Sequence, residues 1–246
     1  MFRIRIQNKK KCIWYCSAVV SFLLFLLLLG WTNHLANTQD AQQMAGRWSE
    51  KKDVAQISCF FSSKAEVTED TIQSFEYSLK NVLQEASITE TSENPSARLW
   101  VDAYSADGKI TLVNGKNTLD ANAIGIGGDF FMFHPLKLIT GAYFSGNDLM
   151  QDYCIIDQDA AWQLFGSNDV VGMTVYIGNV PHIVTGVVQR PDSRMDKAAG
   201  LNSTVVYVSY ETLSAYGTNN GINHYEIVMP NPVDEFAYGK VKEGIG

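Results

Sequence analysis

The chain has 246 residues, of which 46% are hydrophobic and 18% charged, and its formal net charge is -7. This composition excludes a wholly disordered, collagen-like or disulfide-dense chain, and the length allows one or two domains with a sizeable core. Five basic residues and no acidic residue precede residue 31, which leaves 14 basic against 26 acidic residues in the rest. Because an acidic body binds phosphate backbones poorly, we expect no nucleic acid partner.

Residues 13–31 form an uncharged run, IWYCSAVVSFLLFLLLLGW. As a helix this run would span roughly 28 Å, close to the thickness of the hydrocarbon core of a bilayer. Basic residues occur only before the run, so the positive-inside bias predicts a cytoplasmic tip over 1–12, a single transmembrane helix in the cell membrane over 13–31, and an extracytoplasmic remainder. A cleaved signal peptide is the alternative, but its apolar region is normally only about 7–15 residues long.

The polar residues 32–52 are predicted to form a stem, with the helix continuing as far as Trp48. A strand over 54–61 then opens an extracytoplasmic domain over 53–246. Thr68 is a plausible N-cap for the next helix, with acidic residues in the first turn. Helical periodicity places a set of apolar residues on one face of this helix: Ile72, Phe75, Leu79, Val82, Leu83 and Ala86.

Alternating residues predict a strand over 98–104, a hairpin at Asp107-Gly108, a return strand over 109–113 and a turn at Asn114-Gly115. Further strands are predicted at 121–126, 153–157, 173–177, 181–189, 204–209 and 224–229. Short helices are predicted at 129–135, 158–165 and 210–216, with a last helix starting at Pro232 and a mobile polar loop over 190–203. The predicted class is α+β, with a strand–helix–strand lobe and an inserted β-rich lobe at about 120–200.

Residues with catalytic or ligand-binding potential follow no familiar motif. The glycines at 125, 127 and 128 lack the rest of a dinucleotide or phosphate-loop fingerprint, so we interpret them as a tight turn before a short helix. The sequence has four histidines without metal-site spacing: His34, His134, His182 and His224. We interpret His134 and His182 as local packing or surface residues. We therefore predict no enzyme activity, no catalytic, cofactor-binding or metal-binding residue, and no cofactor.

Four acidic residues lie close together in the sequence: Asp148, Asp152, Asp157 and Asp159. They lack the spacing and the central glycine of a calcium loop, so we interpret them as solvated carboxylates of turns. Cys59 and Cys154 permit two interpretations, a disulfide or two small buried residues on strands, and we favour the second.

The stretch from 130 to 187 resembles the MacB-like periplasmic core domain of FtsX/MacB-type permeases. The resemblance depends on the order of short motifs: Leu138, Gly141 and Phe144; Asn147-Asp148; Cys154-Ile155-Ile156; Leu164-Phe165-Gly166; Asp169 and Gly172; Val175, Ile177 and Gly178; Val184, Gly186 and Val187. Two positions depart from the family pattern, with Ala142 in place of a frequent arginine and Val170 in place of a proline.

The resemblance implies a permease subunit of an ABC transporter, whose outer domain has a porter-like lobe and an inserted β-rich lobe. It implies a cytoplasmic ABC-type ATPase partner, a second permease subunit in a dimer, and coupling of ATP hydrolysis to export or envelope signalling, with the substrate unspecified. Such permeases continue into three further transmembrane helices, so we expect that the chain is truncated or a fragment and does not transport alone. The alternative function is a single-pass extracellular sensor or binding module, and an enzyme ranks third.

Overall fold

The computed structural model describes residues 9–37, 40–49, 53–89, 98–191, 194–198 and 203–245. The chain divides into two compact units, 1–43 and 44–246. In the first unit, helix α1 runs from Lys9 to Asn37, and a single 3-10 turn follows at Asp40–Gln42. The segment Ile13–Asn37 has a hydropathy of 2.3 and is the one span in the described residues that is long and apolar enough to cross a bilayer.

The second unit begins at α2, Met44–Trp48, whose first residue is buried. The expected continuous helix as far as Trp48 is therefore wrong, because α1 ends at Asn37 and a separate short helix follows. The amides of Met44 and Ala45 both lie within hydrogen-bond distance of the Gln56 side chain, at 3.0 and 3.4 Å. The last part of the stem expected over 32–52 thus belongs to the compact unit.

The prediction of an α+β class is confirmed by the elements of the second unit. Its strands are β1 Val54–Phe60, β2 Val101–Asn114, β3 Asn117–Gly128, β4 Leu138–Gly141, β5 Tyr153–Asp157, β6 Thr174–Ile177, β7 Val180–Val188, β8 Val205–Ser209, β9 Thr218–Asn219 and β10 His224–Pro230. Besides α2, its helices are α3 Glu69–Glu85, α4 Phe130–Phe133, α5 Gln158–Phe165, α6 Arg194–Ala198, α7 Tyr210–Tyr216 and α8 Phe236–Ile245.

All strands of the described residues belong to one sheet, whose main order is β1-β10-β2-β3-β8-β5-β7-β4, with β6 and β9 pairing beside this path. The pairs β3–β8 and β5–β7 are parallel, and the others are antiparallel. Strand β2 pairs with β10 through residues 101–105 and with β3 along 103–114. This long strand therefore connects the part of the sheet beside β1 with the part that carries the inserted residues.

The buried residues form separate hydrophobic clusters on this sheet. One cluster lies under α3 and α8 and includes four apolar residues of the predicted helical face: Ile72, Phe75, Leu79 and Leu83. A second cluster joins α5 and α7 to the inserted strands, and a third surrounds α4. The predicted N-cap of α3 is confirmed, and the backbone N–H of Thr68 donates to Thr71 Oγ1 at 3.4 Å.

The hairpin predicted at Asp107-Gly108 is wrong, because these residues lie inside β2 and pair with Ile124 and Ala123 of β3. Gly108 does not form a turn but allows β9 to pack closely against β2. A Cβ at Gly108 would come within 2.3 Å of the Thr218 carbonyl oxygen on β9. The chain does turn at Asn114-Gly115, as predicted, with a φ of +59° at Gly115.

Several other local predictions are confirmed by the structure. Strand β5 and helices α5 and α7 have the predicted bounds, and Gly166 ends α5 with a φ of +72°. The predicted hairpin between β6 and β7 turns at Gly178-Asn179, where both φ values are positive, +57° and +68°. The last helix, in contrast, begins at Phe236 rather than at Pro232, and the polar loop includes the short helix α6, with 192–193 and 199–202 outside the described residues.

The two cysteines of the compact unit are free, as favoured from the sequence. Cys59 is half-buried on β1, and Cys154 is fully buried on β5. Burial raises the pKa of the Cys154 thiol to about 12, so this group stays protonated and unreactive at neutral pH.

Candidate functional site

The strongest candidate site is a cleft of about 610 Å³ between α3 and β2, here called the α3 cleft. Its helical wall is one polar stripe of α3, with residues three or four positions apart: Glu69, Gln73, Glu76, Lys80 and Gln84. Trp100, Asp102 and Tyr104 line it from the sheet side, two positions apart as expected for one face of a strand. The cleft thus combines carboxylates with aromatic rings.

Two carboxyl groups meet inside the α3 cleft. Glu76 and Asp102 both line the cleft, and the Tyr225 hydroxyl donates to Asp102 Oδ2 at 3.1 Å. Burial raises the pKa of Glu76 to about 8, and the negative charge of Asp102 adds to this rise. Burial also raises the pKa of Asp102, although hydrogen bonds from Glu76 and Tyr225 oppose that rise. Burial and the nearby negative charge thus favour the protonated forms of both carboxyl groups.

Polar contacts at the rim of the α3 cleft hold the charged groups in place. The Tyr104 hydroxyl donates to Glu69 Oε1 at 2.9 Å, and burial, followed by the Glu69 charge, raises the pKa of this phenol. Arg98 forms an ion pair with Asp129 at 2.5 Å and lies 5.9 Å from the centre of the Trp48 ring. The guanidinium of Arg98 thus forms its ion pair with Asp129 and not with Glu76 or Asp102.

A second cleft of about 700 Å³ has mainly apolar walls from β3, β7 and β8 and from the segment after α4, including Ile124, Leu136, Val188, Val205 and Tyr207. Asp157 and Arg190 also line this cleft, but they bind each other. Burial, followed by the Asp157 charge, raises the pKa of Tyr207 to about 12. The Tyr207 hydroxyl is therefore uncharged at physiological pH, and the residue lines the cleft as a neutral side chain.

The interpretation of the acidic residues as solvated carboxylates is wrong for Asp157, which is 2% exposed. Its Oδ1 accepts the backbone N–H of Ala160 at 2.7 Å and so caps α5. Its Oδ2 accepts the N–H of Val205 at 3.1 Å and Nε of Arg190 at 3.2 Å. Asp159 pairs with Arg190 at 2.6 Å from a half-exposed position. These aspartates therefore serve the structure of the inserted strands.

The interpretation of the glycine cluster as a tight turn is also wrong for most of its members. Gly125 and Gly127 lie within β3, and only Gly128, with a φ of +62°, stands at the turn into α4. A Cβ at Gly127 would lie 2.0 Å from the ring of Tyr104, and one at Gly125 would lie 2.8 Å from Leu213. Because these glycines have no side chain, Tyr104 and Leu213 can pack directly against β3.

Gly146 approaches the same strand from the loop after β4. Its backbone N–H donates to the Gly128 carbonyl at 3.0 Å, and a Cβ would lie 2.4 Å from the Gly127 Cα. The replacement Gly146→Ala should therefore lower the free energy of unfolding by about 1–3 kcal/mol, because two backbones must separate. Urea denaturation of the full chain in detergent measures this loss. Gly46→Ala, with nothing within 4 Å of its Cβ, should be neutral or stabilising by up to about 1 kcal/mol.

The histidines of the compact unit lie apart and make separate contacts. The His134 ring pairs with Glu226, and the His224 ring packs edge-on against Phe60 with centroids 5.2 Å apart. His182 is 1% exposed, with Nδ1 3.0 Å from the Val180 carbonyl and Nε2 3.1 Å from Thr212 Oγ1. Among the described residues, no group of three or more His, Cys, Asp or Glu side chains is placed to hold a metal ion.

One long apolar helix followed by an α+β domain is typical of the class of membrane proteins with an extracytoplasmic domain. Within this class, the sequence profile of the MacB-like periplasmic core domain matches residues 20–244. The chain therefore belongs to this family and carries the MacB-like periplasmic domain of an ABC-type permease, which confirms the resemblance found in the motifs. The matched residues include most of the apolar helix as well as the compact unit.

The macrolide export ATP-binding/permease protein MacB of Chromobacterium violaceum is 32% identical to the chain over 99 residues, which are 39% of this chain and 15% of that protein. MacB of Neisseria gonorrhoeae is 33% identical over 85 residues, 34% of this chain and 13% of that protein. The chain thus matches less than a fifth of the length of these relatives.

Two solved structures are similar to the chain. The extracellular domain of the noncanonic ABC-type transporter YknZ from Gram-positive bacteria has a TM-score of 0.46 at 18% identity, covering 76% of this chain and 88% of that one. The periplasmic region of MacB from Actinobacillus actinomycetemcomitans has a TM-score of 0.43 at 23% identity, covering 61% of this chain and 67% of that one.

Proposed function

We propose that this chain belongs to a permease subunit of an ABC transporter, in which its outer domain couples cytoplasmic ATP hydrolysis to export or envelope signalling. The observation that supports this proposal is the family match over residues 20–244, which includes most of the apolar helix and the α+β domain. A domain linked directly to a membrane helix can follow the movements of that helix. The domain would thereby transmit them to an exported molecule or an envelope protein.

The proposed orientation places the N-terminus in the cytoplasm and the compact unit outside. It is supported by the five basic residues before residue 31, which favour the cytoplasmic side of the apolar helix. The proposed partners are a cytoplasmic ABC-type ATPase, a second permease subunit and the lipid bilayer. ATP binding is assigned to the ATPase, because the 246 residues contain no Walker sequence.

Labelling of single cysteines in intact spheroplasts tests this orientation. We expect a membrane-impermeant maleimide to label Leu149→Cys, because the Leu149 side chain is fully exposed on the compact unit. The variant Gln7→Cys should be labelled only after the membrane is permeabilised. Both variants are made in a chain with its four native cysteines replaced by serine or alanine. Labelling of Gln7→Cys alone in intact spheroplasts would show the reverse orientation.

Genetics in the native host tests the coupling to ATP hydrolysis. Deleting the gene for this chain and deleting the gene for its ABC-type ATPase should raise the cellular accumulation of the same labelled compounds, with no further increase in the double deletion. The matched control is a chromosomal ATPase variant that cannot hydrolyse ATP, which should reproduce both deletions. Unchanged accumulation in the presence of altered gene expression would instead favour the sensor or binding module considered from the sequence.

A further inference from the structure

Strand β1 lies at one end of the sheet order, and among the strands that the structure describes only β10 pairs with it. At both ends of this pairing, the residues that hydrogen-bond to the segment of β10 are odd-numbered, Asp53 and Phe61. Residues of an antiparallel pair alternate between bonding to the neighbouring strand and pointing away from it. The backbone N–H and C=O groups of Val54, Ser58 and Phe60 therefore point away from β10, along the outer edge of the sheet.

The edge of β1 lacks the features that usually protect a sheet edge from pairing, which are short length, charge, proline and bulges. The strand has seven residues, VAQISCF, without a charged residue or a proline, and its register with β10 continues without a shift. Strand β4, at the other end of the sheet order, has only four residues and a register shift between Leu138 and Thr140. One end of the sheet is thus protected, whereas the edge of β1 can accept another strand.

Strand β1 also leaves apolar side chains incompletely covered. Ala55, Ile57 and Cys59 pack against the cluster under α3 and α8, but each of them is only half-buried. On the opposite face of the strand, the Phe60 side chain is 77% exposed. A strand added beside β1 would cover these side chains at the same time as it bonds to the outward backbone groups.

The sequence of β1 is complementary to itself in one antiparallel register. With Ile57 opposite Ile57 of a second copy, each of the other residues meets one of similar polarity: Val54 with Phe60, Ala55 with Cys59, and Gln56 with Ser58. A shift by two residues is the smallest that keeps the outward backbone groups opposite each other. Such a shift brings Val54 against Ser58 in one direction and Gln56 against Phe60 in the other. The register that pairs the whole strand is therefore also the one that matches its side chains.

We propose that the edge of β1 is an interaction surface for β1 of a second copy of this chain, and that the two strands pair antiparallel about Ile57. The partner is a second copy rather than an unrelated peptide, because the match of side chains extends over all seven residues. Val54, Ser58 and Phe60 exchange backbone hydrogen bonds with the facing strand, and the two Ile57 side chains lie side by side. The pairing needs only β1, so it is independent of the proposed coupling to ATP hydrolysis.

Disulfide crosslinking of the full chain in membranes of an expression host tests this register. In a chain whose four native cysteines are replaced by serine or alanine, Ile57→Cys should give a crosslinked dimer after mild oxidation. The exposed position Leu149→Cys reports collisions between copies, and it should give at least about tenfold less dimer, because only a facing pair stays within disulfide reach. Val54→Cys and Phe60→Cys should crosslink only when both are present in one chain.

Two outcomes of the crosslinking experiment would overturn the proposal. Equal amounts of dimer from Ile57→Cys and Leu149→Cys would show that the copies meet only by collision. A disulfide between Ile57→Cys and a different protein, without a crosslinked dimer, would show that another occupant binds the edge of β1.

A proline at position 58 distinguishes strand pairing from other modes of association. Ser58→Pro removes an N–H that does not bond to β10, so β1 keeps its place in the sheet but loses a donor to the second copy. Introduced into Ile57→Cys, it should reduce the crosslinked dimer about tenfold. Ser58→Ala is the matched control, because it also loses the hydroxyl contact with Glu226 but retains the N–H, and its dimer yield should be unchanged.

Phe60→Lys keeps the test decisive if Ser58→Pro does not fold. This position is exposed, and the lysine would place a charge against Val54 of the second copy, so the dimer yield of Ile57→Cys should again fall about tenfold. Undiminished crosslinking in both blocking variants would overturn the proposal. An equal loss in Ser58→Ala would also overturn it, since the contact would then depend on the hydroxyl group rather than on the strand edge.

Discussion

Replacing Asp157 by alanine is expected to lower the free energy of unfolding of the compact unit by about 3–5 kcal/mol. One carboxylate satisfies three donors here: the backbone N–H groups of Ala160 and Val205 and the guanidinium of Arg190. Alanine leaves the two amides without their acceptor and deprives Arg190 of the more buried of its two carboxylates. The start of α5, the start of β8 and the end of β7 all lose an attachment at once.

Urea denaturation of the full chain in detergent, followed by near-UV circular dichroism, measures this loss. Asp159→Ala is the matched control, because Asp159 contacts the same arginine but its side chain is 43% exposed. It should cost less than about 1 kcal/mol, as exposed ion pairs do. Asp157→Asn retains an oxygen for the cap of α5 and should fall between the two. Equal losses in Asp157→Ala and Asp159→Ala would mean that the buried hydrogen bonds contribute nothing beyond the ion pair.

Much of the fold was predictable because local signals agree with the tertiary structure. The apolar positions of α3 recur at helical spacing, and the cap Thr68 and the two acidic residues after it mark its start. Strand β5 and helix α5 have their predicted bounds because Asp157 caps the helix and Gly166 ends it. At Asp107-Gly108 the sequence predicted a turn, but both residues pair with β3 and the hydrogen-bonded ladder continues past them. The glycine is needed there because β9 packs closely against β2.

The candidate site was not predictable from sequence motifs. Glu76 lies on α3 and Asp102 on β2, and no spacing rule connects a helix to a strand that it contacts only in the folded protein. One signal was present. Asp102 stands between Trp100 and Tyr104, opposite the face of β2 that carries Val101 and Ala103. A carboxyl group between two aromatic residues on a strand indicates a partly buried acid, but it does not identify its partner.

Replacing Phe133 by alanine is the second substitution with a large expected effect, a loss of about 3–5 kcal/mol in the free energy of unfolding. Phe133 is fully buried in the cluster around α4, together with Val101 and Ala103 of β2 and Ile126 of β3. Alanine removes the ring and leaves a cavity that the sheet cannot fill, because its strands are held by their hydrogen-bond ladders. The sequence predicted an apolar helical turn here, but four consecutive apolar residues, Phe130 to Phe133, do not reveal which ring is buried most deeply.

The adjacent residue supplies the matched control for this prediction. Met132 belongs to the same helical turn and is 42% exposed, so Met132→Ala should cost less than about 1 kcal/mol. Phe133→Leu retains most of the apolar volume and should fall between the two alanine variants. If Met132→Ala and Phe133→Ala destabilised the chain equally, helix α4 would be acting through its backbone rather than through the burial of one ring. Such a result would assign the stabilising role of this segment to the turn after Gly128 instead of to the hydrophobic cluster.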